Sequence, residues 1–251
     1  MKKIVLAGLL AMAAMAAQAA DVAATLQWSQ RVELSPRVSG IVREVGVNVG
    51  DRVKKGQPLL ALDAALYEAR LAEGRAAVAR FTEETAEAKR DLARTQELYD
   101  RTVISTSELD QGKLRHARAA AQLDGARARL RADQKNLADS VLRAPFDAVV
   151  VARLVEPGQS VAVGLQPQAL LVLAKAGEMT ARFKMSAEHI GGLKVGQAVT
   201  VIVGKQDYSA TLKTLGLEAI REKGGAVYEA DAVFAVKELL RAGTAATVKL
   251  P

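Results

Sequence analysis

The stretch AALYEARLAEGRAAVARFTEETAEAKRDLARTQELYDRTVISTSELDQGKLRHARAAAQLDGARARLRADQKNLADS, residues Ala64–Ser140, decides the fold. It is rich in Ala, Leu, Arg and Glu, all strong helix formers, and it holds no proline to interrupt a helix. Apolar and small residues recur at spacings of three and four. They run Leu71, Gly74, Val78, Phe81, Thr85, Ala88, Leu92, Thr95, Tyr99, and then Leu109, Gly112, His116, Ala119, Leu123, Ala126, Leu130, Leu137. This spacing predicts two helices sharing a coiled-coil seam. Small residues at many seam positions let the helices approach closely. Each helix is about 50 Å long at 1.5 Å per residue. The connection near Tyr99–Ser107 is short, so the helices run antiparallel. Ser105-Thr106-Ser107-Glu108 supplies capping-box chemistry for the second helix. The charges, 14 Lys/Arg against 13 Asp/Glu between Ala64 and Val141, are interspersed as on a solvated helical face.

Two β-type stretches flank the helices and resemble each other. Leu34–Asp63 and Arg143–Ala174 are short Val/Ile/Leu runs broken by glycine and proline, the pattern of short strands joined by tight turns. At an offset of 108 residues Gly50 meets Gly158, Val53 meets Val161 and Gly56 meets Gly164. Leu59-Leu60 then meets Leu170-Leu171 after a short insertion. Two copies of a unit too small for its own core are expected to pack on each other. The helical pair is thus inserted into the middle of one small β domain. Asp21–Glu33 reads as an extended leader. After Ala174 come further strand candidates, Met179–Met185, Val195–Val203, Tyr208–Leu217, Ala226–Val236 and Ala245–Leu250, with one short helix at Ser186–Leu193. These predict a small β-barrel. The fold class is therefore mainly β with a long antiparallel helical hairpin.

Composition narrows the function. The absence of cysteine excludes a disulfide scaffold, a thiolate metal site and a cysteine nucleophile. Lys2 and Lys3, the apolar run Ile4–Ala17 and Ala17-Gln18-Ala19 form the three parts of an export signal, expected to occupy 1–19. Removing Lys2 and Lys3 lowers the formal charge of +7 to +5. With the helical charges balanced and the chain exported, nucleic acid is not an expected partner. No nucleophile elbow, P-loop or dinucleotide fingerprint appears, so no enzyme activity is expected. His116 falls in the seam, and His189 belongs to the short helix. Met179, Met185 and His189 are soft metal-ligand types close in sequence, weighed against ordinary core packing.

The stretches Val38–Asp63 and Leu142–Val161 resemble the split lipoyl-like domain of periplasmic adaptor proteins. These are also called membrane fusion proteins, the HlyD-like family of tripartite efflux and secretion pumps. Leu239–Leu250 resembles the last strand of that family's barrel. The resemblance implies lipoyl-like halves at 34–63 and 142–174, a hairpin at 64–141 and a barrel at 175–251. Many members of the family build a further membrane-proximal domain, which is not expected here. It also implies a periplasmic adaptor, an RND-type subunit that self-associates into a trimer or hexamer ring. Such a ring links an inner-membrane transporter to a TolC-type outer-membrane channel. Alternatives are an ABC-type exporter, a secretion system or heavy-metal efflux.

Members that dock to a TolC-type channel share an Arg-x3-Leu-x6-Ser pattern at the hairpin tip. Arg94, Leu98 and Ser105 fit that spacing and are the expected docking residues. Their plain structural roles would be a solvated face, seam closure and a helix cap. Lipoate and biotin carriers also resemble the half-motifs, but they carry a lysine between the halves. Here Asp63-Ala64-Ala65 opens the helices instead, so no cofactor is expected.

Overall fold

The computed structural model describes residues 21–164, 168–222 and 225–250. The expected export signal lies outside the described residues. The first half of the chain forms β1 (Asp21–Trp28), β2 (Arg31–Leu34), β3 (Gly40–Val45), β4 (Arg52–Val53), β5 (Pro58–Leu62) and the helix α1 (Ala65–Asp100). Then follow α2 (Thr106–Asp139), β6 (Val141–Arg143), β7 (Ala148–Arg153), β8 (Ser160–Val161) and β9 (Leu171–Lys175). The remainder is β10 (Glu178–Ser186), α3 (Ala187–Ile190), β11 (Ala198–Val203), β12 (Gln206–Leu215), β13 (Ile220–Glu222), β14 (Gly225–Ala235) and β15 (Ala245–Lys249). The chain divides into two compact units, one comprising Arg31–Ala176 and the other built from the remaining residues on either side.

The Arg31–Ala176 unit is a sandwich of two four-stranded sheets, β2-β9-β7-β4 and β6-β5-β3-β8. Each sheet takes strands from both halves of the sequence repeat, because β3 and β7, and β4 and β8, are the same strands 108 residues apart. The hydrogen bonds repeat with them. Gly50 N–H donates to Val150 O at 2.9 Å, and Gly158 N–H to Val42 O at 2.8 Å. Val42 N–H donates to Gln159 O and Val150 N–H to Asp51 O, both at 2.9 Å. Gly50 and Gly158 sit at φ of 96° and 87°, a conformation only glycine adopts cheaply, and this fixes where both tight turns fall. Val42, Leu59, Leu62, Val150, Val161, Leu170, Leu171 and Leu173 fill the shared core. Burial of each large side chain stabilises by roughly 1.5–3 kcal/mol.

The hairpin rises from this sandwich. Asp63 accepts the Ala65 N–H at 3.0 Å, and the Tyr67 hydroxyl donates to Ser39 O at 2.5 Å, which holds the start of α1. At the other foot, Ser140 is buried, and its carbonyl accepts Leu62 N–H at 2.8 Å. Along the seam, a Cβ on Gly74 would meet Leu130, and one on Gly112 would meet Leu92 and Thr95. Between them the Thr85 hydroxyl donates across to Ala119 O at 3.0 Å. As residue number rises in α1 it falls equally in α2, so the register does not slip.

The second unit is a closed barrel. Its strands run β1-β15-β11-β12-β14, and β10 closes the ring by pairing with both β1 and β14. β13 extends from the edge of β14 outside the closed ring. Side chains alternate with the two-residue period of a strand, so Met179, Ala181, Phe183 and Met185 of β10 point inward. They pack with Leu26, Val201, Leu212, Phe234 and Val248. On the outer face of the same strands Arg182 grips Asp231 through two bonds of 2.8 and 3.0 Å, and this pairing raises its pKa. The segment read as a leader is therefore structural, since Asp21–Trp28 is one of the six barrel strands.

Candidate docking site at the hairpin tip

The far end of the hairpin is built by backbone geometry. α1 ends at Asp100 with Arg101 as its C-cap, and Thr102 then takes a φ of 61°, the left-handed region. Val103 N–H donates to Leu98 O at 3.0 Å and Thr102 N–H to Tyr99 O at 2.8 Å. That pair of bonds is a Schellman ending, which normally places glycine where Thr102 stands. A β-branched residue there is held against its preference by the turn around it. The chain reverses within four residues, and Ser105 opens α2. The Ser105 hydroxyl accepts Glu108 N–H at 3.3 Å while the Glu108 carboxylate accepts Ser105 N–H at 2.9 Å. The capping box expected from the sequence is present. Ser105 N–H and the Ser105 hydroxyl both favour the ionised form of Glu108 and lower its pKa. Tyr99 and Thr106 hydroxyls lie 3.4 Å apart across the turn.

The three residues expected to dock take different positions on this frame. Arg94 lies on α1 with its side chain 75% exposed, and Asp91 stands 3.7 Å from its guanidinium on the same helix. An exposed ion pair of that length is weak, so the planar fork is available to a carboxylate or carbonyl from outside. Leu98 lies one turn further on and is 36% exposed. At i and i+4 the two share one helix face. Ser105 is exposed, and its hydroxyl is engaged in the capping box. Val103, 65% exposed at the turn, was not singled out by the sequence reading. An apolar residue within a polar turn was the signal available for it. The backbone ties it to Leu98, so the tip presents two apolar groups, with Arg94 and the Glu97-paired Arg101 as its exposed cations.

Of the other chemical candidates, Met185 and His189 line one surface pocket with Val22, Lys184 and Ser186, and Met179 does not join them. Met179 and Met185 are both buried in the barrel core and lie six residues apart on one strand, about 20 Å at 3.3 Å per residue. That distance is too great for both to hold one ion. His189 is exposed and its Nδ1 lies 2.8 Å from the Ser186 hydroxyl. His116 is half-buried in the seam. Among the described residues no group of three His, Asp or Glu side chains converges as metal ligands.

Comparison with known proteins adds the family context. The model of a CzcB-like barrel-sandwich hybrid domain matches residues 30–166. The macrolide export protein MacA of Yersinia pestis is 28% identical over 204 residues, which cover 74% of this chain and 55% of that protein. The pyoverdine export membrane fusion protein PvdR of Pseudomonas putida is 29% identical over 206 residues, covering 75% of this chain and 53% of that protein. The chain thus spans about half the length of these curated relatives. Among solved structures, the membrane fusion protein Spr0693 of Streptococcus pneumoniae R6 superposes with a TM-score of 0.73 at 17% identity. That match covers 91% of this chain and 97% of that one, and shows a shared fold.

Proposed function

The chain belongs to the CzcB-like barrel-sandwich hybrid family of membrane fusion proteins, and on that premise we propose that it is a non-enzymatic periplasmic adaptor. It is exported by its N-terminal signal and held at the inner membrane through an energy-supplying transporter of RND type. Copies of the chain associate into a trimeric or hexameric ring. The hairpins of the ring reach a TolC-type outer-membrane channel, and small molecules leave the cell through the assembled path.

The observation that carries this reading is the hairpin tip. A slender two-helix arm of about 50 Å ends in an exposed guanidinium and an exposed apolar side chain on one helix face. An exposed Leu beside a weakly paired Arg is the chemistry of a small recognition patch. The Arg supplies a directional fork, and the Leu supplies area removed from water on contact. Ser105 contributes by fixing the turn through its capping box, so Arg94 and Leu98 make the contact itself. Support for self-association comes from the seam, where Leu92 and Thr95 remain half-exposed in a single hairpin and neighbouring hairpins would cover more of their surface.

A photoreactive residue at Leu98 tests docking in cells that contain the channel. It is expected to form an adduct with the outer-membrane channel, while the same residue at Leu66, 58% exposed on the first turn of α1, forms none. An equal yield from both positions, or no adduct from Leu98, would sink the assignment. Identification of the inner-membrane protein that co-purifies with the chain separates the RND reading from an ABC exporter or a metal-efflux pump.

A further inference from the structure

One side of the sandwich lies open between its two edge strands. β2 ends one four-stranded sheet and β6 ends the other. Together with the last turn of α2 they wall a groove of about 510 Å³, within the roughly 300–1,000 Å³ range of small-molecule sites. Leu34 enters it from β2, Val141 and Leu142 from β6, and Pro145 from the segment that follows, so part of the lining is apolar.

The polar part of the lining carries an excess of positive charge. Two carboxylates stand in it, Glu33 and Asp139, and each already has a close cation. Arg31 lies 2.8 Å from Glu33, and Lys135 bonds to Asp139. Two guanidiniums remain, those of Arg37 and Arg143. Arg37 is 72% exposed and reaches Asp139 only at 3.7 Å. Arg143 donates one N–H to Gly56 O at 3.1 Å and pairs with no carboxylate among the described residues. A guanidinium has five N–H donors, so most of those on both side chains face water. The groove on the hairpin beside Gly74 differs in this respect. There Arg70 and Arg129 are matched by Glu73 and Asp133, which leaves no excess.

We propose that the groove at the foot of α2 binds a small organic anion, a molecule with an apolar body and one acidic group such as a carboxylate or sulfonate. The acidic group accepts the forked N–H donors of Arg37 and Arg143, and the body covers Leu34, Val141 and Leu142. A neutral molecule of the same shape gains only the apolar contact, because it offers the two guanidiniums no charge. All of the lining belongs to the Arg31–Ala176 unit, and the proposal does not depend on docking at the hairpin tip.

The probe is naphthalene-1-sulfonate, with 1-naphthalenemethanol as its neutral counterpart, and the readout is backbone amide NMR of the full chain. The sulfonate is expected to shift the amides of Leu34, Ser35, Val141 and Leu142 saturably. The alcohol should bind at least about tenfold more weakly, the difference that one charge-assisted hydrogen bond makes. Arg37→Ala and Arg143→Ala should each weaken sulfonate binding by about the same factor, whereas Arg129→Ala, in the balanced groove, leaves it unchanged. Arg37 is exposed and makes only the long contact to Asp139, so a loss in that variant reports on the ligand and not on unfolding. The proposal is overturned if the shifts fail to saturate or fall elsewhere on the chain, or if the alcohol binds as tightly as the sulfonate. Wild-type affinity in Arg37→Ala also overturns it. A loss in Arg129→Ala as large as in Arg37→Ala assigns the effect to net charge and likewise overturns it.

Discussion

Gly112 offers the sharpest check on how the two helices of the arm meet. A Cβ at this position would lie 3.5 Å from Leu92 Cδ1 and 3.5 Å from Thr95 Cγ2, ordinary contact distances. Gly112→Ala therefore fits without displacement. It also removes the conformational entropy that glycine loses in a helix, a gain of about 1 kcal/mol. For a folded unit of this size that gain raises the thermal midpoint by roughly 2–4 °C. Gly112→Leu adds three further carbons beyond a methyl that already touches the opposite helix. Overpacking of that kind costs about 1–3 kcal/mol and pushes the helices apart. Gly125 is the internal control, because nothing lies within 4 Å of its added Cβ. Gly125→Ala should give the propensity gain alone, and Gly125→Leu should cost nothing. The assay is thermal unfolding followed by far-ultraviolet circular dichroism, which reports mainly on the two long helices. If Gly112→Ala lowers the midpoint, the helices approach more closely than the structure shows. If Gly112→Leu behaves like Gly125→Leu, Gly112 does not face the seam and the register is wrong.

Thr102 sits at a φ of 61°, so Thr102→Gly should relieve about 1 kcal/mol of local strain. Slower amide exchange at Val103, whose N–H closes the turn onto Leu98 O, would report the gain. Ser105→Ala removes the acceptor for Glu108 N–H and should destabilise the first turn of α2 by about 1 kcal/mol, measured by exchange at Glu108 and Leu109. The fold lowers the Glu108 pKa, so this carboxylate's contribution is complete at neutral pH. It is lost only as the pH falls below the ordinary glutamate range, and NMR titration of Glu108 in the wild type and Ser105→Ala follows it. Gly216→Ala would bring a methyl within 2.7 Å of a backbone oxygen and should destabilise the barrel by more than about 2 kcal/mol. A wild-type melting profile for that variant would show that the chain at Gly216 is free to move.

The helical hairpin was legible because its signals are local. Heptad spacing, absence of proline and a capping box all act within a few residues, and they located the two helices and the turn between them. The sandwich was legible because its sequence carries the same turn chemistry twice, at Gly50 and Gly158, so one half describes the other. Asp21–Trp28 was misread because its strand character is confirmed only by its partners. It pairs with β10 and β15, more than 150 residues away, and a six-stranded ring cannot close without it. At the tip, the order of Arg94, Leu98 and Ser105 could be read directly. That Thr102 adopts the left-handed turn could not be, because glycine is the usual mark of that ending and the sequence places threonine there. Val103 was passed over for the same reason, since its place beside Leu98 follows from that turn.

Arg94→Asp is the most direct test of the adaptor reading. The side chain is exposed and makes only a long ion pair to Asp91, so charge reversal should leave folding and abundance unchanged. The measurement is channel-dependent efflux in cells whose only copy of the protein carries the substitution, with abundance and inner-membrane partner capture followed in parallel. The account predicts that efflux is lost while abundance and partner capture match the wild type. Efflux at the wild-type rate from that variant would contradict it.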